Sequence, residues 1–380
     1  MATDASSIIK PKVKIKVLGI GGGGNNVLMR IGQERDLDIE LIAVNTDRKQ
    51  LQVLESCGIN CIQIGEAITR GRGTGGRVQL GEEAAINEAD KLKAVIGDAD
   101  LVFITAGMGG GTGTGAAPVA AKIAKEAGVL SIGVVTTPFS FEGGRKKRTA
   151  IEGITKMQSK MDALIVVEND NLLLLPENKR MLLTQAFQTA DKVLEQAISC
   201  IAELILTTGV INVDFADLKT IFKQSDSSDA MLGIGTSKHG AVEAVKAAIA
   251  MPLVKREILG ARGVILNLTG DDSMSLYDVD EAMNYMVEKT DPEVNVIMGT
   301  VEDDNMDGEI RATLIATDFI DSEIKKTPAI KVPESKVKKD AFQLSTPSFM
   351  NKKLPADNNG IGSGKVFAIP AFKITDGQEK

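Results

Sequence analysis

The chain has 380 residues, enough for two or three domains with real cores, and its 43% hydrophobic and 25% charged residues are ordinary for a soluble globular protein. Aromatics make up only 3%, with no Trp, so the core has to rest on Ile, Val, Leu, Ala and Met. A net charge of −7 argues against nucleic acid as the main ligand; with no apolar leader and no apolar run near about 18 residues, a cytoplasmic protein without membrane insertion is expected.

In chain order, residues 1–11 read as a flexible start. Short apolar runs then alternate with helical patterns. Val13–Ile20, Leu41–Val44, Leu101–Ala106, Val129–Thr136 and Leu164–Val167 read as buried parallel strands. Between Leu101–Ala106 and Val129–Thr136, Ala116–Ala127 reads as a helix with Ala120, Ile123, Ala124 and Ala127 on one face and Pro118 in its first turn. The alternation predicts an α/β fold with a doubly wound, mostly parallel sheet over residues 12–179.

A long helix is expected at 180–206, with Leu183, Ala186, Phe187, Ala190, Val193, Leu194, Ala197, Ile198, Ile201 and Ile205 at helical spacing. Leu204 lies off that stripe, which suits a buried spine between two domains, and Gly209 breaks the pattern. A smaller α+β domain is expected at 207–318, with helices at Asp217–Lys223, His239–Met251 and Leu276–Lys289 and strands at Gly263–Leu268, Val294–Thr300 and Ile310–Thr317. Residues 319–365, rich in Lys, Pro, Ser and Asn, read as a disordered linker before a short apolar cluster, "VFAIPAFK", within 366–380. "GSGKV" (Gly362–Val366) mimics a P-loop tail, but Val366 stands where Ser or Thr is required and no strand precedes it. Cys57, Cys61 and Cys200 have neither metal-ligand spacing nor an even count and are expected to be buried, reduced thiols.

Two glycine-rich loops follow predicted strands. "GMGGGTGTGAA" contains Gly107, Gly109, Gly110, Gly111, Gly113 and Gly115 with Thr112 and Thr114, a composition that costs conformational entropy in any regular element. Backbone N–H groups at a helix N-terminus and the two hydroxyls suit a phosphate without a side-chain cation. "GIGGGGNN" brings Gly21, Gly22, Gly23, Gly24, Asn25 and Asn26; it fits G-x-G-x-x-G with Asp47 downstream, with a purely structural strand-to-helix turn as the lesser alternative. On neighbouring strand ends, the two loops suggest one triphosphate held from both sides.

These loops, with "AVNTD" (Ala43–Asp47), "PFSFEG" (Pro138–Gly143) and "NVDFADL" (Asn212–Leu218), occur in unbroken order between Val13 and Thr317. In this the chain resembles the FtsZ family of tubulin-like bacterial cell-division GTPases. The resemblance implies GTP/GDP as ligand with Mg²⁺ bridging phosphates, and no metal-binding residue set of the protein's own. It also puts Asn45 and Gly73 at the nucleotide. Phe187 and Asp191 form an i, i+4 pair; by themselves they read as a core ring and a solvated charge. A carboxylate accepts only, and guanine offers two adjacent donors, so Asp191 suits guanine; in the family the matching pair contacts that base. The family's ribose contact falls on Glu142, and its Arg four residues later falls on Lys146 with Arg145 adjacent. Asn169 in "VENDN" matches a family Asn at the sugar.

An Asp-x-x-Asp turn alone is usually just a helix start. The predicted long helix, roughly 40 Å at 1.5 Å per residue, carries Asp214 and Asp217 away from the base-binding end. The resemblance implies that Asn212, Asp214 and Asp217 act on the GTP of the next chain in a head-to-tail homopolymer. It further implies a ring at the division site and a tail whose Ile369, Pro370 and Phe372 bind a membrane tether and other division proteins, although Ala368 and Lys373 depart from the family pattern. Gly75–Val78 also departs, where the family has Asn-Pro. His239 sits in a polar stretch and is assigned no chemistry. The rival readings are a non-division tubulin-like partition filament, a filament protein that binds GTP without cleaving it, and an NAD-dependent oxidoreductase resting on G-x-G-x-x-G alone.

Overall fold

The computed structural model describes residues 13–34, 37–173, 181–207, 211, 213–224, 227–250 and 258–319. The expected flexible start, Asn212, the linker from 320 onward and the tail residues Ile369, Pro370 and Phe372 lie outside the described residues.

The strands are β1 (Ile15–Ile20), β2 (Glu40–Asn45), β3 (Asn60–Gln63), β4 (Leu101–Gly107), β5 (Leu130–Thr137), β6 (Ala163–Glu168), β7 (Asp229–Ser237), β8 (Ala261–Gly270), β9 (Asn295–Glu302) and β10 (Ile310–Phe319). The helices are α1 (Gly21–Glu34), α2 (Arg48–Ser56), α3 (Glu66–Thr69), α4 (Val78–Asn87), α5 (Ala89–Ile96), α6 (Thr112–Ala127), α7 (Gly144–Gln158), α8 (Asn169–Leu172), α9 (Leu183–Leu206), α10 (Phe215–Lys223), α11 (Ala241–Ile249) and α12 (Leu276–Lys289). All strands join one sheet in the order β3-β2-β1-β4-β5-β6-β7-β10-β8-β9. It is parallel from β3 to β7, antiparallel at β7/β10 and β10/β8, and parallel again at β8/β9. The chain order reverses between β1 and β4, and in a doubly wound sheet a ligand crevice opens beyond the carboxyl ends of the strands at such a switch. Both glycine-rich loops leave from those two ends.

The strands β1, β4 and β5 are buried along almost their whole length, as expected of runs covered on both faces. One apolar cluster lies under α1, α2, α9 and α10 and runs from Ile15 to Ile315, so α9 packs against both halves of the sheet. A second covers the opposite face with α4, α5 and α6, and a third lies under α11 and α12. Among the described residues, no helix is long and apolar enough to cross a membrane.

Several expectations need correction. β3 and β7 are additional strands. β3 is short and at the sheet's edge, with an exposed Asn60 and no buried residue to betray it. β7 contains Gly233 and Gly235, whose missing side chains admit α11: a Cβ there would stand 2.2 and 2.3 Å from the carbonyls of Ala248 and Ala244. Helix α6 begins at Thr112, not Ala116, so Pro118 falls in its second turn. On α9, Leu183 and Phe187 are exposed, although Ala186 and Ala190 of the same turns are buried in the core. Of the thiols, all free, only Cys200 is buried; Cys57 is exposed at the end of α2 and Cys61 is half-buried.

Helices α4 and α6 interlock through glycine. A Cβ on Gly81 would stand 2.4 Å from Gly111 O, and one on Gly115 would stand 2.3 Å from Val78 O and 2.5 Å from Glu82 N. All three obstacles are backbone, which cannot rotate away. Gly115→Ala is therefore expected to lower unfolding free energy by about 1–3 kcal/mol, measured as the urea midpoint; an unchanged midpoint would refute the interlock.

Candidate functional site

The cradle is built from two strand-to-helix junctions. After Ile20 the chain enters α1 directly at Gly21, whose φ of +71° is the left-handed region that glycine tolerates. After Gly107 it makes one turn through 108–111 and enters α6 at Thr112. The two backbones touch. A Cβ on Gly21 would stand 2.8 Å from Gly113 N, one on Gly23 3.0 Å from Gly107 N, and one on Gly24 2.3 Å from Thr105 O. Two helix N-termini thus open side by side, and each presents unpaired N–H groups and the positive end of a helix dipole. Gly22 and Gly110 face space: nothing lies within 4 Å of a Cβ on Gly110, and only the Gln50 side chain, at 3.4 Å, approaches one on Gly22. An anionic group fits there, held by backbone donors.

Side chains brace the junction. Asn25 Nδ2 donates to Gly19 O at 2.7 Å, and Asn45 Nδ2 donates to Asn25 Oδ1 at 2.6 Å and to Gln50 Oε1 at 2.7 Å. Asn45 Oδ1 in turn accepts from Thr46 N at 2.8 Å and Asp47 N at 3.1 Å. The hydroxyls of Thr46 and Thr112 are 2.7 Å apart and buried, and Thr114 Oγ1 accepts from Gly109 N at 2.8 Å. Asn25, Asn45 and Thr114 therefore fix the loops' shape. Asp47 caps α2 by accepting from Lys49 N and Gln50 N. Its bridge to Arg72, and the 3.3 Å bond from Gly73 N to Thr46 O, bring the 70–77 loop alongside. Sequence reasoning assigned no role to Thr46, although it lies within "AVNTD", and missed Gln50, which belongs to no motif.

At the other end of the cradle, α9 lies on α1. Asp191 accepts a hydrogen bond from Asn26 and faces the charge of Arg30. Burial nonetheless dominates and pushes its carboxyl from the ordinary 3.8 up to about 6. One turn earlier, Phe187 stands edge-on to Phe139 and Phe141, with centroids 5.3 and 6.2 Å away. Phe139 and Phe141 stack at 5.1 Å, so the aromatic group is larger than the sequence implied; both rings come from "PFSFEG". Asn169 is buried, and its Oδ1 has no hydrogen-bond partner among the described residues. Such an orphaned acceptor calls for a donor from outside. Glu142 Oε1 accepts from Phe139 N at 3.0 Å, and its Oε2 pairs with Lys146 Nζ at 2.9 Å. Arg145 is exposed and makes no ion pair among the described residues.

Asp214 and Asp217 stand apart from this assembly. Asp214 precedes the first turn of α10 and Asp217 lies within it, both exposed. They follow the far end of α9, whose 24 residues span about 36 Å. Asn212 lies outside the described residues. Among the described residues, no group of three or more His, Cys, Asp or Glu side chains is disposed to hold a metal ion. The arrangement can bind a phosphorylated planar base, with anion donors at one end and aromatic edges, a carboxylate and a free amide oxygen at the other.

Comparison with known proteins agrees. The Tubulin/FtsZ family GTPase domain matches residues 14–175, and the FtsZ family C-terminal domain matches residues 228–320. An FtsZ dimer from M. jannaschii is 40% identical with a TM-score of 0.75, the match covering 81% of this chain and 88% of that one. A mutant of the M. jannaschii protein matches with the same identity and TM-score over 81% of this chain and 92% of its own. CetZ2 from Haloferax volcanii, in a GTPγS-bound protofilament, is 18% identical with a TM-score of 0.69, over 82% and 95% of the two chains; it shares the fold.

The raised carboxyl of Asp191 has a testable cost. Its folded value of about 6 exceeds the ordinary 3.8, so ionising it opposes folding. That penalty is absent below the ordinary value, grows as pH rises toward about 6, and is constant above. Asp191→Asn should therefore raise the urea midpoint of the ligand-free protein by an amount that grows between pH 4 and 6 and then levels. A gain independent of pH would contradict this.

Proposed function

We propose a function on one premise: the chain belongs to the tubulin/FtsZ family of GTPases, and to its FtsZ branch. It binds GTP or GDP in the cradle, chains add head to tail, and GTP is hydrolysed to GDP and phosphate where one chain's acidic loop meets the next chain's nucleotide. The observation that carries this reading is the separation of parts. The cradle and the exposed Asp214–Asp217 pair lie toward opposite ends of α9, so neither completes an active site within one chain.

In this reading the backbone donors of Gly21, Gly22, Gly23, Gly24, Gly107, Gly109, Gly110, Gly111, Gly113 and Gly73, with Thr112, surround the phosphates, while Asn25, Asn45 and Thr114 keep the loops in shape. Asp191, beside Asn26, accepts from guanine while Phe187 supplies an aromatic wall. Glu142, oriented by Lys146, and the free oxygen of Asn169 serve the sugar. When bound with the nucleotide, Mg²⁺ would supply positive charge against the phosphates; among the described residues no cluster of His, Cys, Asp or Glu side chains would hold it. The neighbour's Asp214, Asp217 and Asn212 orient the attacking water. Phosphoryl transfer needs positioning and charge stabilisation more than a covalent nucleophile.

Different surfaces on the two ends make the contact heterologous, and such a contact gives open filaments unless rotation closes it. The M. jannaschii FtsZ forms a dimer and the Haloferax volcanii CetZ2 a protofilament, which supports self-association here. Identity of 40% to FtsZ against 18% to CetZ2 favours a role in the cytoplasmic division ring over a non-division filament. We assign nucleotide binding to 12–179, the connecting helix to 180–206, activation of the neighbour to 207–318, and partner binding to the tail through Ile369, Pro370 and Phe372.

The doubly substituted chain Asp214→Asn, Asp217→Asn should bind GDP within about twofold of wild type, while GTP turnover per assembled subunit falls by about 10²–10⁴. Calorimetry and phosphate release measure the two. Loss of GDP binding, or turnover within a few-fold of wild type, would refute the assignment.

A further inference from the structure

The two groups at the sugar end of the cradle stand on separate segments. β5 and β6 pair in parallel as far as Thr137 and Glu168, and the ladder ends there. Beyond that pair the chain after β5 makes a single 3₁₀ turn, Ser140–Glu142. The chain after β6 enters the four-residue α8, with Asn169 and Asp170 in its first turn. Strand pairing therefore no longer fixes Glu142 against the orphaned Oδ1 of Asn169.

One side chain spans the gap. Asp170 Oδ1 accepts from Ser140 N at 2.7 Å, and its Oδ2 accepts from Ser140 Oγ at 2.5 Å. Lys147 Nζ, on α7, lies 3.3 Å from the same Oδ2. Burial by itself would raise this carboxyl, but the hydrogen bonds from Ser140 and the charge of Lys147 outweigh it and hold it below the ordinary carboxylate range. The ionised form is thus the one that grips the turn. Glu142 follows Ser140 by two residues; its Oε1 closes the turn on Phe139 N and its Oε2 meets Lys146. Those bonds are local to the turn and to the start of α7. Asp170 adds the bond to the element that carries Asn169.

Resting on the guanine-nucleotide reading above, we propose that Asp170 is a positioning residue: by tying Ser140–Glu142 to α8 it sets Glu142 against Asn169, and with it the chain's preference for a nucleotide that bears both ribose hydroxyls. Asp170 acts through the turn and not by contact with the sugar. Hydrogen bonds weaken steeply as distance and angle depart from the ideal, so a turn released from α8 loses the hydroxyl contact while the phosphate and base contacts stay.

The test titrates full-length wild type, Asp170→Ala, Asp170→Asn and Ser140→Ala by calorimetry, with Mg²⁺ present, using GDP and its dideoxy analogue, which lacks both ribose hydroxyls. Wild type is expected to bind GDP about tenfold more tightly than the analogue. In Asp170→Ala that preference falls to within about twofold, while affinity for the analogue stays within about twofold of wild type. Asp170→Asn keeps an oxygen for Ser140 N and retains most of the preference. Ser140→Ala, at an exposed position, loses part of it. Affinity for the analogue also reports that each variant is folded. An unchanged preference in Asp170→Ala would overturn the proposal, since the turn would then hold its own place. An equal loss for both nucleotides would overturn it too, since Asp170 would then serve only the fold. If Asp170→Ala binds neither nucleotide, Ser140→Ala decides, and a wild-type preference there overturns the proposal. A wild type that binds GDP and the analogue equally well overturns this proposal together with the sugar roles of Glu142 and Asn169, and leaves the guanine-nucleotide reading standing. A wild type that binds neither overturns that reading and this proposal with it.

Discussion

The approach of two backbones governs the nucleotide end of this protein. A Cβ on Gly21 would stand 2.8 Å from Gly113 N, so the first turns of α1 and α6 can lie side by side only if neither carries a side chain there. That contact joins two N-terminal dipoles into one anion site at the switch between β1 and β4. The same absence of side chains at Gly81, Gly111 and Gly115 brings α4 against α6 and carries the 70–77 loop to the cradle's lip. The backbone therefore supplies what a lysine supplies in other phosphate-binding loops.

In the proposed reading, such a site binds the nucleotide and leaves its cleavage to another chain. Several of its polar side chains are occupied in bracing: Asn25 and Asn45 hold each other, Thr114 holds Gly109, and Glu142 holds Lys146. Asp191, the half-buried carboxylate, lies at the base end, against α1. In that reading the acids that orient water, Asp214 and Asp217, lie beyond α9. A rigid helix packed on both halves of the sheet keeps the two ends apart. In the proposed reading, hydrolysis then waits for a second chain, and assembly and turnover become one event.

Much of the fold is legible in the sequence, because the central strands are continuous apolar runs and punctuation by glycine marks their ends. What was hidden follows from specific physics. β7 hides behind Gly233 and Gly235, present to admit α11, and glycine reads as a loop residue. Helix α6 starts early because Gly113 and Gly115, poor helix formers in isolation, are required there by close packing. Phe187 has core-like spacing but an exposed position beside the rings of Phe139 and Phe141, a contact between distant segments that spacing along one helix does not report. The cradle's glycines stand out in the sequence. Its bracing does not, because hydrogen bonds such as Asn45 to Asn25 or Thr46 to Thr112 join residues 20 and 66 positions apart with no pattern between them.

The measurement that tests the shared site most directly is GTP hydrolysis rate as a function of protein concentration, with Mg²⁺ and K⁺ present. A site completed by the neighbour predicts negligible turnover below a threshold and a linear rise above it. Constant specific activity from the lowest concentration upward would mean that each chain carries its own catalytic groups, and would contradict the assignment of Asp214 and Asp217 to the adjoining chain.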